Sequence, residues 1–209
     1  KYCYQKIFGQ FEAQEIDILV GTQMLSKGLD FANVSLVGIL NADNMLNFPD
    51  FRAHERAYQM MVQVSGRAGR NKKQGNVAIQ TFNPYHQILQ QVSTTRYAEM
   101  YKEQLQERWQ YKYPPYYRLI KITLTHRDYN KVDKGINWLA KAFQQSFDEY
   151  VLGPTAPAVS RIRNRYIKNL VIKVPPKQSL ANTKNQITKI KNTFEAVSDF
   201  RPIRFIIDV

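Results

Sequence analysis

The sequence predicts an α/β fold in two parts: a parallel sheet with helices over residues 1–112, then a smaller α+β domain over residues 113–209. Three observations carry this. Short apolar runs rich in β-branched residues alternate with helical patterns as far as Trp109, the order that builds a parallel sheet with covering helices. The pair Pro114-Pro115 then breaks the pattern, because neither proline has an amide proton and the second holds the first in extended backbone. Beyond it, residues 118–126 alternate apolar and polar, as a strand with one wet face does.

In the first part, residues 4–14 read as a short helix with Ile7, Phe8 and Phe11 on one stripe. Residues 16–20, ended by Gly21, read as a buried parallel strand, and residues 34–40 as a second, closing at Asn41-Ala42-Asp43. Polar groups at the carboxyl ends of such strands lie where open α/β sheets hold ligands. Asp50 can cap a helix running to Ser65, with Tyr58, Met61, Val62 and Ser65 inward. Residues 75–82 are a third strand after the turn Lys72-Lys73-Gln74. Helices over 85–92 and 94–109 follow, the latter with Tyr97, Tyr101, Leu105 and either Arg108 or Trp109 as its repeating face.

In the second part the order is β-α-β-β-α-β: a strand over 118–126, a helix over 130–150 with Ile136, Leu139, Ala140, Phe143 and Phe147 inward, strands over 157–163 and 165–174 joined at Arg163-Asn164, a helix over 178–197 and a last strand over 203–209. This is the split βαβ, or ferredoxin-like, arrangement.

The net charge of +13 is unevenly placed. Residues 1–98 carry 10 basic and 7 acidic groups, and residues 99–209 carry 20 and 10. A near-neutral half beside a half at +10 places the expected polyanion surface in the second part. Cys3 is the only cysteine, so neither an internal disulfide nor a cysteine zinc site can be built, and no metal site is expected in this chain. No apolar run nears 18 residues, so no membrane partner is expected. The chain starts Lys1-Tyr2-Cys3-Tyr4 without Met or a signal peptide and is expected to begin within a longer protein.

Two stretches carry chemistry in the first part. Gln63-Val64-Ser65-Gly66-Arg67-Ala68-Gly69-Arg70 places two arginines three apart on one side of a helical turn, amid small residues that leave room for close approach. Guanidinium forks suit phosphate oxygens; the same spacing also suits a helix end whose arginines complement the dipole and whose Gly69 stops the turn. The second stretch, Gly21-Thr22-Gln23-Met24-Leu25-Ser26-Lys27-Gly28-Leu29-Asp30-Phe31, sets a hydroxyl, an amide and an ammonium just past the expected strand. Thr22, Gln23 and Lys27 can bind successive phosphates, which reads backbone and not sequence; Thr22 also suits a local cap and Asp30 a turn. Over residues 50–56, Arg52 and Arg56 share a helix face with His54 and Glu55 beside them, which reads best as a solvated ion-pair face with Glu55 near Arg52. His54, His86 and His126 are too scattered in sequence to imply a metal.

In the second part, Arg161-Ile162-Arg163-Asn164-Arg165-Tyr166-Ile167-Lys168 is the basic cluster of note. On a regular strand Arg161, Arg163 and Arg165 point the same way, and Tyr166 adds a stacking face beside them. Cations with an aromatic fit single-stranded or forked DNA; an exposed basic hairpin without a ligand is the other reading.

The two stretches of the first part resemble motifs V and VI of superfamily 2 helicases. With Asn41-Ala42-Asp43, residues 50–56, Tyr113-Pro114-Pro115-Tyr116 and Val151-Leu152-Gly153-Pro154, the chain is similar over nearly its whole length to the PriA (primosomal protein N′) family of bacterial replication-restart helicases. The resemblance implies a partial RecA-like lobe followed by a DNA- and partner-binding domain. It implies that Arg67 and Arg70 reach the γ-phosphate of ATP as catalytic groups, that Gln63 helps place phosphate or water, and that Gly28 and Asp30 contact the ribose or couple nucleotide to DNA. Arg161, Arg163, Arg165, Tyr166 and Lys168 then hold branched DNA. It also implies 3′-to-5′ movement, primosome proteins and single-strand-binding protein as partners, Lys177 as a candidate contact for the latter, and a bacterial cytoplasmic setting. ATP and Mg²⁺ would be held mostly by a partner lobe and zinc by a cysteine cluster outside this chain. Neither a P-loop nor an Asp-Glu-x-His box occurs here, so the chain alone is expected not to hydrolyse ATP. The rival readings are a non-catalytic nucleic-acid-binding module and another superfamily 2 translocase.

Overall fold

The computed structural model describes residues 2–22, 34–68 and 75–208, the side chains of residues 2 and 3 excepted. Gln23, Lys27, Gly28, Asp30 and Arg70 therefore lie outside the described residues. The chain divides into two compact units, Lys1–Leu105 and Gln106–Val209.

The first unit contains α1 (Tyr2–Glu12), β1 (Leu36–Ile39), α2 (Asp43–Leu46), α3 (Ala53–Ser65), β2 (Asn76–Ile79) and α4 (Gln87–Ser93). Helix α5 (Tyr97–Gln110) starts in it, and the division falls within that helix. Strands β1 and β2 pair in parallel from Leu36↔Asn76 to Ile39↔Ile79. Ala42, Leu46, Ala57, Tyr58, Met61, Ile88, Leu89, Val92 and Met100 form the core. The strand expected over residues 16–20 is not formed. Ile18 and Val20 are 79% and 80% exposed. A strand needs a neighbour for its backbone groups, and among the described residues β1 and β2 pair only with each other.

The face of α5 also differs from expectation. Met100 and Gln104 point inward, while Tyr97, Tyr101 and Trp109 are at least half exposed. Tyr97 and Tyr101 stack on each other at 6.1 Å between ring centres. Both pairs are four residues apart, so spacing could not choose between them; tyrosine, with a polar tip, tolerates the wet side. Helix α2 is too short to leave a periodic signal.

The second unit contains β3 (Arg118–His126), α6 (Tyr129–Phe147), a 3₁₀ turn (Asp148–Tyr150), β4 (Val151–Thr155), β5 (Arg161–Ile162), β6 (Arg165–Val174), α7 (Leu180–Ala196) and β7 (Arg204–Asp208). The sheet runs β4-β6-β3-β7, antiparallel at every pairing, with β5 also paired to β6. This is the split βαβ order. The strand expected over 157–163 shrinks to Arg161–Ile162, and β4 holds the edge place instead. Asp128 caps α6 by accepting from the Asn130 amide at 2.8 Å. The inner face of α6 packs Val132, Ile136, Leu139, Phe143 and Phe147 on Ile120, Ile122, Leu124, Leu170, Ile172 and Val174, with Ile187 and Phe194 of α7.

Candidate functional site

Helix α3 ends on the arginine run. Gly66 keeps right-handed helical dihedrals (φ −65°, ψ 0°), and its amide donates to the Val62 carbonyl at 3.0 Å. The Arg67 amide then donates to Val64 at 3.0 Å and the Ala68 amide to Ser65 at 3.2 Å. The helix thus continues as a tighter turn that carries Arg67. Gln63 is exposed and Arg67 half-buried, and four residues apart they belong to one side of the turn. Thr22 is exposed and follows an irregular, exposed segment. Guanidinium and amide donors at this position fit a phosphate ligand in chemistry.

The carboxyl ends of β1 and β2 are tied to each other. Asp43 accepts from the Thr81 hydroxyl at 2.9 Å and from the Phe82 amide at 3.0 Å. The polar residue expected at a ligand-facing strand end therefore holds two loops together. His86 caps α4, its Nδ1 accepting from the Ile88 amide at 3.2 Å, and lies edge-on to His54 at 5.4 Å. Two histidines distant in sequence are thus neighbours; among the described residues no group of three His, Cys, Asp or Glu could hold a metal ion. Over residues 50–56, Asp50 accepts from the Arg52 amide at 2.8 Å and pairs with Arg56 at 2.9 Å. Arg56 is thus held by Asp50, a contact its spacing did not announce.

The basic hairpin is tighter than a regular strand. Arg163 and Asn164 both have positive φ (48° and 59°), as a two-residue type I′ turn requires. The pairing is Arg161↔Tyr166 and Ile162↔Arg165. Cross-strand partners share a face, so Arg161 and Arg165 lie on opposite faces, and Arg163 is at the tip. The expected alignment of all three arginines is lost because the turn takes up two residues of the alternation.

Arg161 sits over the Tyr166 ring, 4.9 Å from its centre, and donates to Asn164. Tyr166 meets Tyr129 edge-on at 5.5 Å. Lys168 lies 5.1 Å from the Tyr129 ring centre and pairs with Asp133 of α6. That pairing, ahead of the opposing cost of burial, raises the Lys168 pKa. The structure therefore brings Arg161, Tyr166, Tyr129, Lys168 and Asp133 into one chain of contacts that fastens the hairpin to α6. One face of Tyr166, expected to be open for stacking, is occupied by Arg161. Arg163 and Arg165 are both exposed. The Tyr129–Lys168 contact has no local sequence signal, since the residues meet only through the register of β6 against β3 and the packing of α6.

A parallel α/β unit ending its long helix on an arginine run, followed by a basic split-βαβ unit, has the make-up of a helicase segment with an accessory domain. Residues 4–72 match the Helicase conserved C-terminal domain, which makes the first unit part of a RecA-like lobe. Residues 109–209 match the Primosomal protein N C-terminal domain. The chain is 40% identical over 183 residues to the Replication restart protein PriA of Bacillus subtilis, covering 87% of this chain and 23% of the relative. It is 41% identical over 177 residues to the protein of that name from Synechocystis, covering 84% and 21%, and 32% identical over 204 residues to that of Borreliella burgdorferi, covering 94% and 31%. The chain belongs to the PriA family. It spans between 21% and 31% of the length of these relatives. Among the described residues no helix is long and apolar enough to cross a membrane.

Proposed function

We propose that the chain is the part of an ATP-dependent DNA helicase, acting in replication restart, that supplies the arginine side of the nucleotide site and part of the grip on DNA. The run Gln63–Arg70 at the end of α3, within the segment matched to the helicase family, carries this reading. Arg67 and Arg70 donate to phosphate oxygens and stabilise charge that develops there, and Gln63 orients phosphate or water. Gly28 and Asp30 serve the nucleotide; Thr22, Gln23 and Lys27 hold successive phosphates of one strand. When bound, ATP supplies the phosphoryl chemistry and the free energy for movement. The chain has no P-loop, so the groups that hold Mg²⁺ come from another lobe, and the chain alone does not hydrolyse ATP. The exposed Arg163 and Arg165 add phosphate contacts at branched or single-stranded DNA. Single-strand-binding protein and primosome proteins are the partners this reading implies, with a bacterial cytoplasmic setting.

The test uses the full-length Bacillus subtilis relative. Alanine at the arginines equivalent to Arg67 and Arg70 should lower DNA-stimulated ATP hydrolysis by about a hundredfold or more and leave DNA affinity nearly intact. If hydrolysis survives while DNA affinity falls, the arginines bind backbone only, and the reading as a non-catalytic nucleic-acid-binding module replaces this one.

A further inference from the structure

We propose that Phe82 and Tyr85 form a base-stacking platform for single-stranded DNA at the carboxyl edge of the parallel sheet. This rests on the reading of the chain as part of a DNA helicase, but assigns residues that neither the arginine run nor the hairpin includes. Phe82 is 96% exposed and Tyr85 87%. Rings left this far in water are surface that a fold ordinarily buries.

The loop that carries them is not loose. Asp43 holds the Thr81 hydroxyl and the Phe82 amide. The Thr81 oxygen accepts from the Asn83 amide at 3.1 Å, and the Gln90 side chain donates to the Pro84 carbonyl at 2.8 Å. His86, next to Tyr85, caps α4. A backbone held by five hydrogen bonds needs no ordering on binding, so stacking is opposed only by the side-chain torsions of the two rings.

The surroundings favour nucleobases over an apolar protein segment. Because β1 and β2 are parallel, their carboxyl ends lie on one edge. The His54–His86 contact brings the first turn of α3 to that edge. Arg52, at the start of α3, stacks on Phe51 at 5.2 Å. Exposed rings on an edge to which the first turn of α3 also brings a guanidinium match the alternation of base and phosphate along a single strand. Rings standing this far out present open faces for stacking and not the lined pocket an apolar peptide anchor needs.

The experiment uses the whole chain and an iododeoxyuridine-substituted oligothymidylate, irradiated and mapped by mass spectrometry, with anisotropy titrations over a range of salt. Adducts are expected on the peptide holding Phe82 and Tyr85. F82A and Y85A should each weaken binding about fivefold or more and leave the salt dependence unchanged, while F82W retains affinity. The hairpin variants R163Q and R165Q should instead flatten the salt dependence, so the two contributions are read separately. Both rings are on the surface, so circular dichroism should show the same melting for each variant. Adducts confined to other peptides, together with unchanged affinity in F82A and Y85A, overturn the platform and leave the hairpin contact standing. Failure of the chain to bind the oligonucleotide overturns both.

Discussion

The ammonium of Lys173 lies 4.0 Å from the centre of the Tyr113 ring and donates to the carbonyl of Tyr111. Lys173 is only 8% exposed. Lys112, next in sequence to Tyr111, is held by Glu149 at 2.9 Å and by the Tyr150 ring at 4.8 Å. Within the second unit, two lysines thus staple the segment before Pro114 to β6 and to the turn after α6. The usual role of lysine as a solvated charge is reversed at Lys173: its stem is buried and its charge is met by a carbonyl and a ring.

Burial, and then the nearby Lys112, lower the Lys173 pKa. A lysine depressed in the folded state binds fewer protons there than in the unfolded chain. Stability therefore rises as pH climbs through the depressed value toward the ordinary lysine range. Lys173→Met keeps the stem and removes this titration, so the alkaline rise in the urea midpoint should disappear. Lys173→Ala also strips the packing and leaves the Tyr111 carbonyl unmatched, which should cost about 1–3 kcal/mol at neutral pH. An unchanged alkaline profile in Lys173→Met would assign the effect to another group.

His86 gives the opposite end of the pH range. Its pKa is lowered first by burial and then by His54, with Asp43 opposing. The neutral ring caps α4 through Nδ1; a proton there abolishes the acceptor. Stability from this cap should be complete above the ordinary histidine range and should be lost as pH falls through the depressed folded-state value. Asn at this position caps without titrating. The Tm of His86→Asn should fall less than that of the parent between neutral and mildly acidic pH, and His86→Ala should cost about 1 kcal/mol at neutral pH. Equal acid sensitivity of parent and His86→Asn would remove His86 from the account.

Much of the second unit was legible because its signals are local. The alternation Ile120, Ile122, Leu124 names the buried face of β3, and the spacing of Ile136, Leu139, Phe143 and Phe147 names that of α6. The extent of β6 was also legible. What escaped depends on partners distant in the chain. The run of residues 16–20 has the composition of a strand but no described strand beside it. Met100 and Gln104 were hidden by tyrosines of equal spacing. The hairpin arginines share a face only on a regular strand, and the turn at Arg163-Asn164, itself legible in the sequence, breaks that parity. At the arginine run, sequence identified the residue types and the end of the helix. The tie between Asp43 and the loop after β2, and the meeting of His54 with His86, depend on which strand ends are brought together.

Gly135 tests the packing of the second unit. A Cβ there would lie 2.9 Å from Ile203 Cδ1 and 3.2 Å from Phe194 Cζ. Phe194 is fully buried, stacks on Phe200 at 4.9 Å and meets Trp138 at 5.8 Å, so it has little room to retreat. Alanine gains about 1 kcal/mol in helix propensity, but overpacking of this kind costs about 1–3 kcal/mol. Gly135→Ala should therefore lower the urea midpoint by a net of roughly 1 kcal/mol in stability. A higher midpoint would mean that the isoleucine tip and the ring shift aside without cost.

Arg163 should trade stability against binding. It occupies the left-handed region at φ 48°, where residues other than glycine, asparagine and aspartate pay about 1–2 kcal/mol. It is exposed at the tip of the turn. Asparagine adopts this region more readily, so Arg163→Asn should raise stability by roughly 0.5–1 kcal/mol, seen as a higher Tm. The same change removes one phosphate contact and should reduce the log–log salt slope for a single strand by about 0.7. Both shifts together would mark the arginine as kept in a strained conformation for its charge. A higher Tm with an unchanged salt slope would leave the strain real and the tip without a role in holding DNA, and would move the grip of this unit to Arg165.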